Sequence, residues 1–179
     1  MQKILNFVSF LFHTIRGDSL WIMKRRGLTV GKNFFLGGSY IDVWFLQLIT
    51  IGDNVTLAGN VTILAHDAST KNWLHHTKIG KVTIGNRVFI GYGSIILPGV
   101  TIGDDVVIGA GSVITHDIES GKVAIGNPAE VKGTLDEFLA RKKKEIKMYP
   151  MFGDEYNNAN KKMKREMVEK MKDRYGYTG

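Results

Sequence analysis

The chain has 179 residues, about the length of one domain, and 44% of them are hydrophobic. It contains no cysteine, which excludes disulfides, thiolate metal sites and cysteine nucleophiles and leads to an expected cytoplasmic location. The net charge of +7 belongs to the two ends, because residues 31–131 carry six basic and eight acidic side chains; with no recognisable nucleic-acid motif, this argues against nucleic-acid binding.

Residues 1–29 are read as an N-terminal helical cap. Ile4, Leu5, Phe7, Val8, Phe10, Leu11, Phe12 and Ile15 form an apolar stretch interrupted by Asn6, Ser9 and His13. A bilayer span needs about 20 apolar residues, and no A-x-A cleavage pattern follows, so neither a transmembrane helix nor a signal peptide is expected. The preferred role is to cover the open end of the next segment, whose last rung otherwise exposes apolar side chains and edge hydrogen-bonding groups. The second role considered is contact with anionic lipid through Lys24-Arg25-Arg26 beside Trp21 and Ile22.

From about residue 30 a six-residue beat takes over. Ile84, Ile90, Ile96, Ile102, Ile108 and Ile114 are evenly spaced. Glycine follows four of them, at Gly85, Gly91, Gly103 and Gly109, and a small or β-branched residue comes four positions on, as at Val88, Ser94, Val100, Val106, Ser112 and Ile118. The beat begins earlier, with Ile51-Gly52-Asp53-Asn54-Val55, Leu57 and Ile63. Neither a helix nor an alternating strand has this period, and a fixed hexapeptide repeat predicts a parallel β-helix over residues 30–132. Each hexapeptide supplies a short strand and a turn, and stacking puts isoleucine on isoleucine while backbone groups pair between rungs. Asn54, Asn86 and Asp104 are assigned to the corners, where short polar side chains tolerate left-handed backbone.

The beat breaks once inside this body. After Ile63-Leu64-Ala65 come a dozen residues with three of the five histidines, His66, His75 and His76, before Val82-Thr83-Ile84-Gly85 restores the phase. Residues 65–79 are therefore a protruding loop, where functional groups concentrate on a rigid scaffold. Residues 133–179 are a basic helical tail. Thr134 and Glu137 form a capping-box pattern before Leu135, Phe138 and Leu139, and Pro150 and Gly153 end or interrupt that helix. A second helix is predicted from about Asn160 to Arg174, with Met163, Met167 and Met171 as a packing seam. The tail is expected to cap the other end and reach toward a partner subunit.

Several runs together resemble the hexapeptide-repeat acyltransferases, especially the galactoside/maltose O-acetyltransferases and those of bacterial surface-polysaccharide synthesis. They are Ile51-Gly52-Asp53-Asn54-Val55, Ala65-His66-Asp67, Asn86-Arg87-Val88-Phe89-Ile90-Gly91, Leu97-Pro98-Gly99-Val100, Ile108-Gly109-Ala110-Gly111-Ser112-Val113 and Gly126-Asn127-Pro128-Ala129. The resemblance covers roughly residues 30–132. It implies a mainly β fold, a left-handed β-helix, and a homotrimer with active sites between subunits. It also implies acetyl transfer from acetyl-CoA to a hydroxyl of a sugar or polysaccharide precursor.

The implied site follows residue by residue. His66 stands where the family's catalytic histidine opens the loop, as the general base. His75 and His76 are weaker candidates for that role or for holding the acceptor. Asp67 is a candidate for positioning the acceptor or orienting the imidazole, and Asp42 for gripping the acceptor. Tyr40 and Trp44 either stack on a sugar or pack a subunit interface. For acetyl-CoA the resemblance implies Phe89, Gly91, Tyr92, Gly109 and the Ala110 amide, with Thr115, His116 and Lys132 toward the 3′-phosphate. Glu130 stands where an arginine is usual. No metal is expected, since a zinc hydratase of this fold needs a histidine pair five residues apart that His66, His75, His76 and His116 do not supply. A serine or amine acceptor also fits the resemblance, and a non-enzymatic scaffold fits the repeat alone.

Overall fold

The computed structural model describes residues 20–153, 159–171 and 176–178. The apolar stretch read in residues 1–19 lies outside them. Two compact units are present, Met1–Gly133 and Thr134–Gly179.

In the first unit the hexapeptides become strands of mostly two or three residues arranged in three sheets. The first sheet holds Thr29–Val30, Ile49–Ile51, Val82–Ile84 and Thr101–Ile102. The second runs from Thr56–Leu57 through Phe89–Ile90 and Val107–Ile108 to Lys122–Gly126 and Ala129–Thr134. The third holds Tyr40–Ile41, Thr62–Ile63, Ile95–Ile96 and Val113–Ile114. The chain visits the three sheets in turn, so it coils, and the register stacks each inward aliphatic on the next. Ile51, Ile84 and Ile102 form one column, Leu57, Ile90 and Ile108 a second, and Ile41, Ile63, Ile96 and Ile114 a third. All are fully buried, each worth about 1.5–3 kcal/mol of transfer free energy.

The corners correct one expectation. Asn54 has left-handed backbone (φ 57°), but in the next two rungs the left-handed residues are Arg87 (φ 55°) and Asp105 (φ 57°), not Asn86 and Asp104. Asn86 and Asp104 lie one position earlier in the rung, alongside Asp53, and they form a ladder down that edge. Lys32 N donates to Asp53 Oδ1 (2.7 Å), Asp53 N to Asn86 Oδ1 (2.8 Å), Asn86 N to Asp104 Oδ1 (2.6 Å) and Asp104 N to Ser120 Oγ (2.9 Å). Arg87 also makes a bidentate pair onto Asp105, Nε to Oδ1 (2.6 Å) and Nη2 to Oδ2 (2.7 Å). That guanidinium holds the Asp105 carboxyl below the usual range.

Two excursions leave the coil at the edge between the third and first sheets. The expected loop is a short antiparallel hairpin, with His66 opposite Ile79 and Asp67 opposite Lys78, a helix Lys71–Leu74 at its tip, and Gly80 N closing its base on Ala65 O (2.9 Å). The second, Asp42 to the 3₁₀ turn Leu46–Leu48, lies one rung away and was not singled out as a loop by the sequence. Leading into the coil, helix Leu20–Arg25 turns Met23 into the core while Leu20 packs partly against it.

In the second unit the capping box forms as predicted, Glu137 N donating to Thr134 Oγ1 (3.2 Å) and Thr134 N to Glu137 Oε2 (2.9 Å), at the start of helix Leu135–Ile146. A second helix spans Lys161–Met171, with Asn160 Oδ1 accepting from Lys162 N and Met163 N (both 3.0 Å). Its methionines are half-buried. A parallel pair of short strands, Met151–Phe152 with Tyr177–Thr178, was not foreseen.

If the inner columns hold the coil together, Ile90→Ala should cost about 2–5 kcal/mol in urea unfolding. Glu119→Ala, on an exposed corner, should stay within about 0.5 kcal/mol of the parent. Equal effects of the two substitutions would contradict the packing described.

Candidate active site

The two excursions leave neighbouring rungs that pair Ile41 with Ile63, so their first residues meet. The turn delivers Asp42, whose side chain is 0% exposed, and the hairpin delivers His66, whose side chain is 27% exposed. His66 Nδ1 hydrogen-bonds Asp42 Oδ2. The same carboxylate accepts from Ala65 N (3.0 Å) at Oδ2 and from Trp44 N (3.1 Å) at Oδ1. Three donors on two oxygens compensate the cost of burying an acidic side chain. Phe45 from the same turn closes the other side, with its ring centroid 5.3 Å from that of His66 and the planes tilted by 44°.

This geometry fixes the tautomer. A carboxylate only accepts, so Nδ1 carries the hydrogen and Nε2 presents a lone pair. The result is an oriented imidazole, half-sheltered, able to take a proton from a hydroxyl placed at Nε2. Asp42, expected to grip the acceptor, touches the imidazole itself. Tyr40 lies close enough to Asp42 that its phenol pKa is raised, by burial first and by the Asp42 charge second. Trp44 is exposed on the turn between Asp42 and Phe45.

The other candidates are spread out. Asp67 Oδ1 accepts from Ser69 N (2.8 Å) and turns the loop, and that backbone bond is the main reason its pKa is lowered. His75 ends the tip helix in left-handed backbone (φ 56°), and the His76 carbonyl accepts from Thr70 Oγ1 (3.0 Å); both are exposed at the hairpin tip beside Trp73 and Leu74. Among the described residues no group of three or more His, Cys, Asp or Glu is arranged to hold a metal.

The residues assigned to acetyl-CoA fall into two groups. Phe89, Gly91, Tyr92, Gly109 and Ala110 line the second sheet and the corner after it, with Phe89 and Tyr92 exposed and Tyr92 Oη bonded to Asn60 Nδ2. Thr115 and His116, joined Oγ1 to Nδ1 (2.8 Å), follow the third sheet, on the edge that carries His66. The two groups occupy different edges of one coil. Lys132 Nζ pairs with Glu130 Oε2 (2.7 Å). The two glycines have a reason in rung stacking as well. A Cβ on Gly91 would meet Ala110 N at 2.4 Å, and one on Gly109 would meet Ile125 Cγ1 at 2.7 Å. Buried Ser94 and Ser112 both donate to Gly109 O (3.0 and 2.6 Å) and lock that corner. Among the described residues none accepts from the Ala110 N–H, which sits at an exposed position.

Sequence reasoning missed Phe45 and the contact of Asp42 with the imidazole. The available signal was spacing, because Ile51 follows Ile41 by ten positions where the repeat has six.

Residues 81–116 match the family described as bacterial transferase hexapeptide (six repeats), and residues 27–65 match the hexapeptide repeat of succinyl-transferase. The protein YvoF of Bacillus subtilis (strain 168) is 41% identical over 103 residues, and the chain spans 58% of its length. Galactoside O-acetyltransferase of Escherichia coli (strain K12) is 37% identical over 143 residues, 73% of this chain and 68% of that protein. The solved structure of galactoside acetyltransferase in complex with coenzyme A superposes with a TM-score of 0.55 at 31% identity, covering 79% of this chain and 84% of that one. With its coil, its rung register and these relatives, the chain belongs to the hexapeptide-repeat transferase family.

Proposed function

We propose that the chain is an acetyl-CoA-dependent O-acetyltransferase acting on a hydroxyl of a sugar or surface-polysaccharide precursor, with His66 as general base. The observation that carries this reading is the His66 imidazole held through Nδ1 on the fully buried Asp42. The relatives supply the reaction class, one named a galactoside O-acetyltransferase and one solved with coenzyme A. On this reading Nε2 of His66 takes the acceptor proton as the hydroxyl oxygen attacks the thioester carbonyl. The imidazolium formed is stabilised by Asp42, and it returns the proton to the departing CoA thiolate. The products are an acetyl ester and free CoA. Asp67, His75 and His76 are assigned to the acceptor side, at the foot and tip of the hairpin.

The coil is taken to be left-handed and the working form a cytoplasmic homotrimer. What supports the trimer is the separation of the two groups of residues. Phe89, Gly91, Tyr92, Gly109 and Ala110 lie on one edge and His66 on another, so a second copy is needed to bring an edge of each kind together. The exposed Phe89 ring and the Ala110 N–H, which has no acceptor among the described residues, are the features of this chain that fit a thioester arm, with Thr115, His116 and Lys132 left to the phosphate end. A sugar is preferred over serine as acceptor because of the exposed Trp44 and Tyr40 beside the dyad, which suit stacking on a pyranose face.

His66→Ala should lower kcat by about 10²–10⁴-fold, measured as thiol release from acetyl-CoA with a sugar panel, while acetyl-CoA affinity by calorimetry changes little. The cysteine-free chain adds no background to that assay. Near-parental turnover would sink the assignment. Asp42→Asn preserves shape but turns an amide N–H₂ toward donors, so it should lower kcat and also cost about 1–3 kcal/mol of stability. An Asp42→Asn enzyme with normal kcat would remove Asp42 from the mechanism.

A further inference from the structure

The helix Leu20–Arg25 has two unlike sides. Met23 is buried in the core cluster and Leu20 packs against it, three residues apart on one face. The opposite face carries Trp21, 63% exposed, and Ile22, 37% exposed. Arg25 shares that face, its guanidinium carbon 4.9 Å from the Trp21 ring centroid. Lys24 flanks it, also exposed, and Arg26 follows. Leu20 through Lys32 contain Lys24, Arg25, Arg26 and Lys32 and no acidic residue. An exposed indole with an aliphatic neighbour and flanking cations is the chemistry of a surface seated at the headgroup level of an anionic bilayer. Tryptophan favours that zone because its ring is apolar and its N–H is polar, and each nearby cation adds attraction to anionic lipid.

We propose that this helix docks the chain on an anionic lipid surface, with Trp21 and Ile22 inserted at the interface and Lys24 and Arg25 paired with lipid phosphates. The contact is peripheral, because no helix among the described residues is long and apolar enough to cross a membrane. A two-fold contact between copies through this face would bring Lys24 and Arg25 against their own like charges, whereas an anionic bilayer complements them. The sequence just before the helix adds Phe10, Leu11, Phe12, Ile15 and Arg16, with Asp18 the one acidic residue among residues 1–32. Arg26 adds a structural link, because its Nη2 donates to the Val43 carbonyl (2.8 Å) in the turn that carries Asp42. The docking helix is thereby tied to the segment that holds the imidazole.

The test is flotation of the full chain with vesicles of phosphatidylcholine alone and with about one third phosphatidylglycerol. Two variants are compared with the parent, Trp21→Ser with Ile22→Ser, and Lys24→Gln with Arg25→Gln; both leave Leu20, Met23 and Leu28 in place. The parent should bind the anionic vesicles and not the neutral ones, and binding should weaken as salt rises from 0.1 to 1 M and the screening length falls from about 10 to about 3 Å. Each lost cation should weaken partitioning on the order of fivefold. The charge variant, which leaves the core contacts of Met23 and Leu20 intact, keeps the test decisive if the Trp21/Ile22 variant folds poorly. Parental binding by both variants, equal binding to neutral vesicles, or a change in oligomer mass without any vesicle binding would overturn the proposal. The measurement needs no acyl donor, so its failure leaves the acetyl-transfer reading untouched.

Discussion

The in-register stacking of inward aliphatic residues is the constraint from which the rest of the first unit follows. Each column, such as Ile41, Ile63, Ile96 and Ile114, stacks in register and is buried, so a one-residue slip in any rung would put an isoleucine in water and a polar neighbour inside. With the columns fixed, the outward positions and the corners are fixed too. The ladder through Asp53, Asn86 and Asp104 exists because equivalent corner residues lie directly above one another. The close approach of rungs likewise sets the glycines at 91 and 109.

A scaffold this regular leaves the backbone free to depart only at its edges. Two departures occur at the same edge on paired rungs, and their meeting creates the pairing of Asp42 with His66. Neither excursion alone makes a site. The hairpin supplies an imidazole without an orienting group, and the turn supplies a buried carboxylate that would be costly if unpaired. Together they satisfy each other, and Ala65 N and Trp44 N take up two further lone pairs. The energetic cost of burying Asp42 and the chemical usefulness of His66 are therefore one arrangement.

Much of this was legible in the sequence for a specific reason. A hexapeptide period is long-range order written locally, so Ile84 through Ile114 announce their own partners 18 residues away. The capping box at Thr134 and Glu137 and the loop after Ala65 are local signals of the same kind. The role of Asp42 was not legible, since it depends on how two interruptions of the beat stack in space. The corner phase was misjudged because Asn86 and Asp104 have the composition of left-handed residues, while the backbone requirement falls one position later, on Arg87 and Asp105. The pairing of Met151–Phe152 with Tyr177–Thr178 joins two-residue strands, too short to leave any periodic trace.

The central claim is that this coil is built to use acetyl-CoA, and the melting temperature with and without that ligand tests it without knowledge of the acceptor. At about a hundredfold excess over the dissociation constant, binding should add roughly 2.7 kcal/mol to the folded state, which for a chain of this size is an upward shift of about 5–10 °C. Free CoA should shift it as well, and acetate alone should not. An unchanged melting temperature with acetyl-CoA up to the millimolar range would contradict the account.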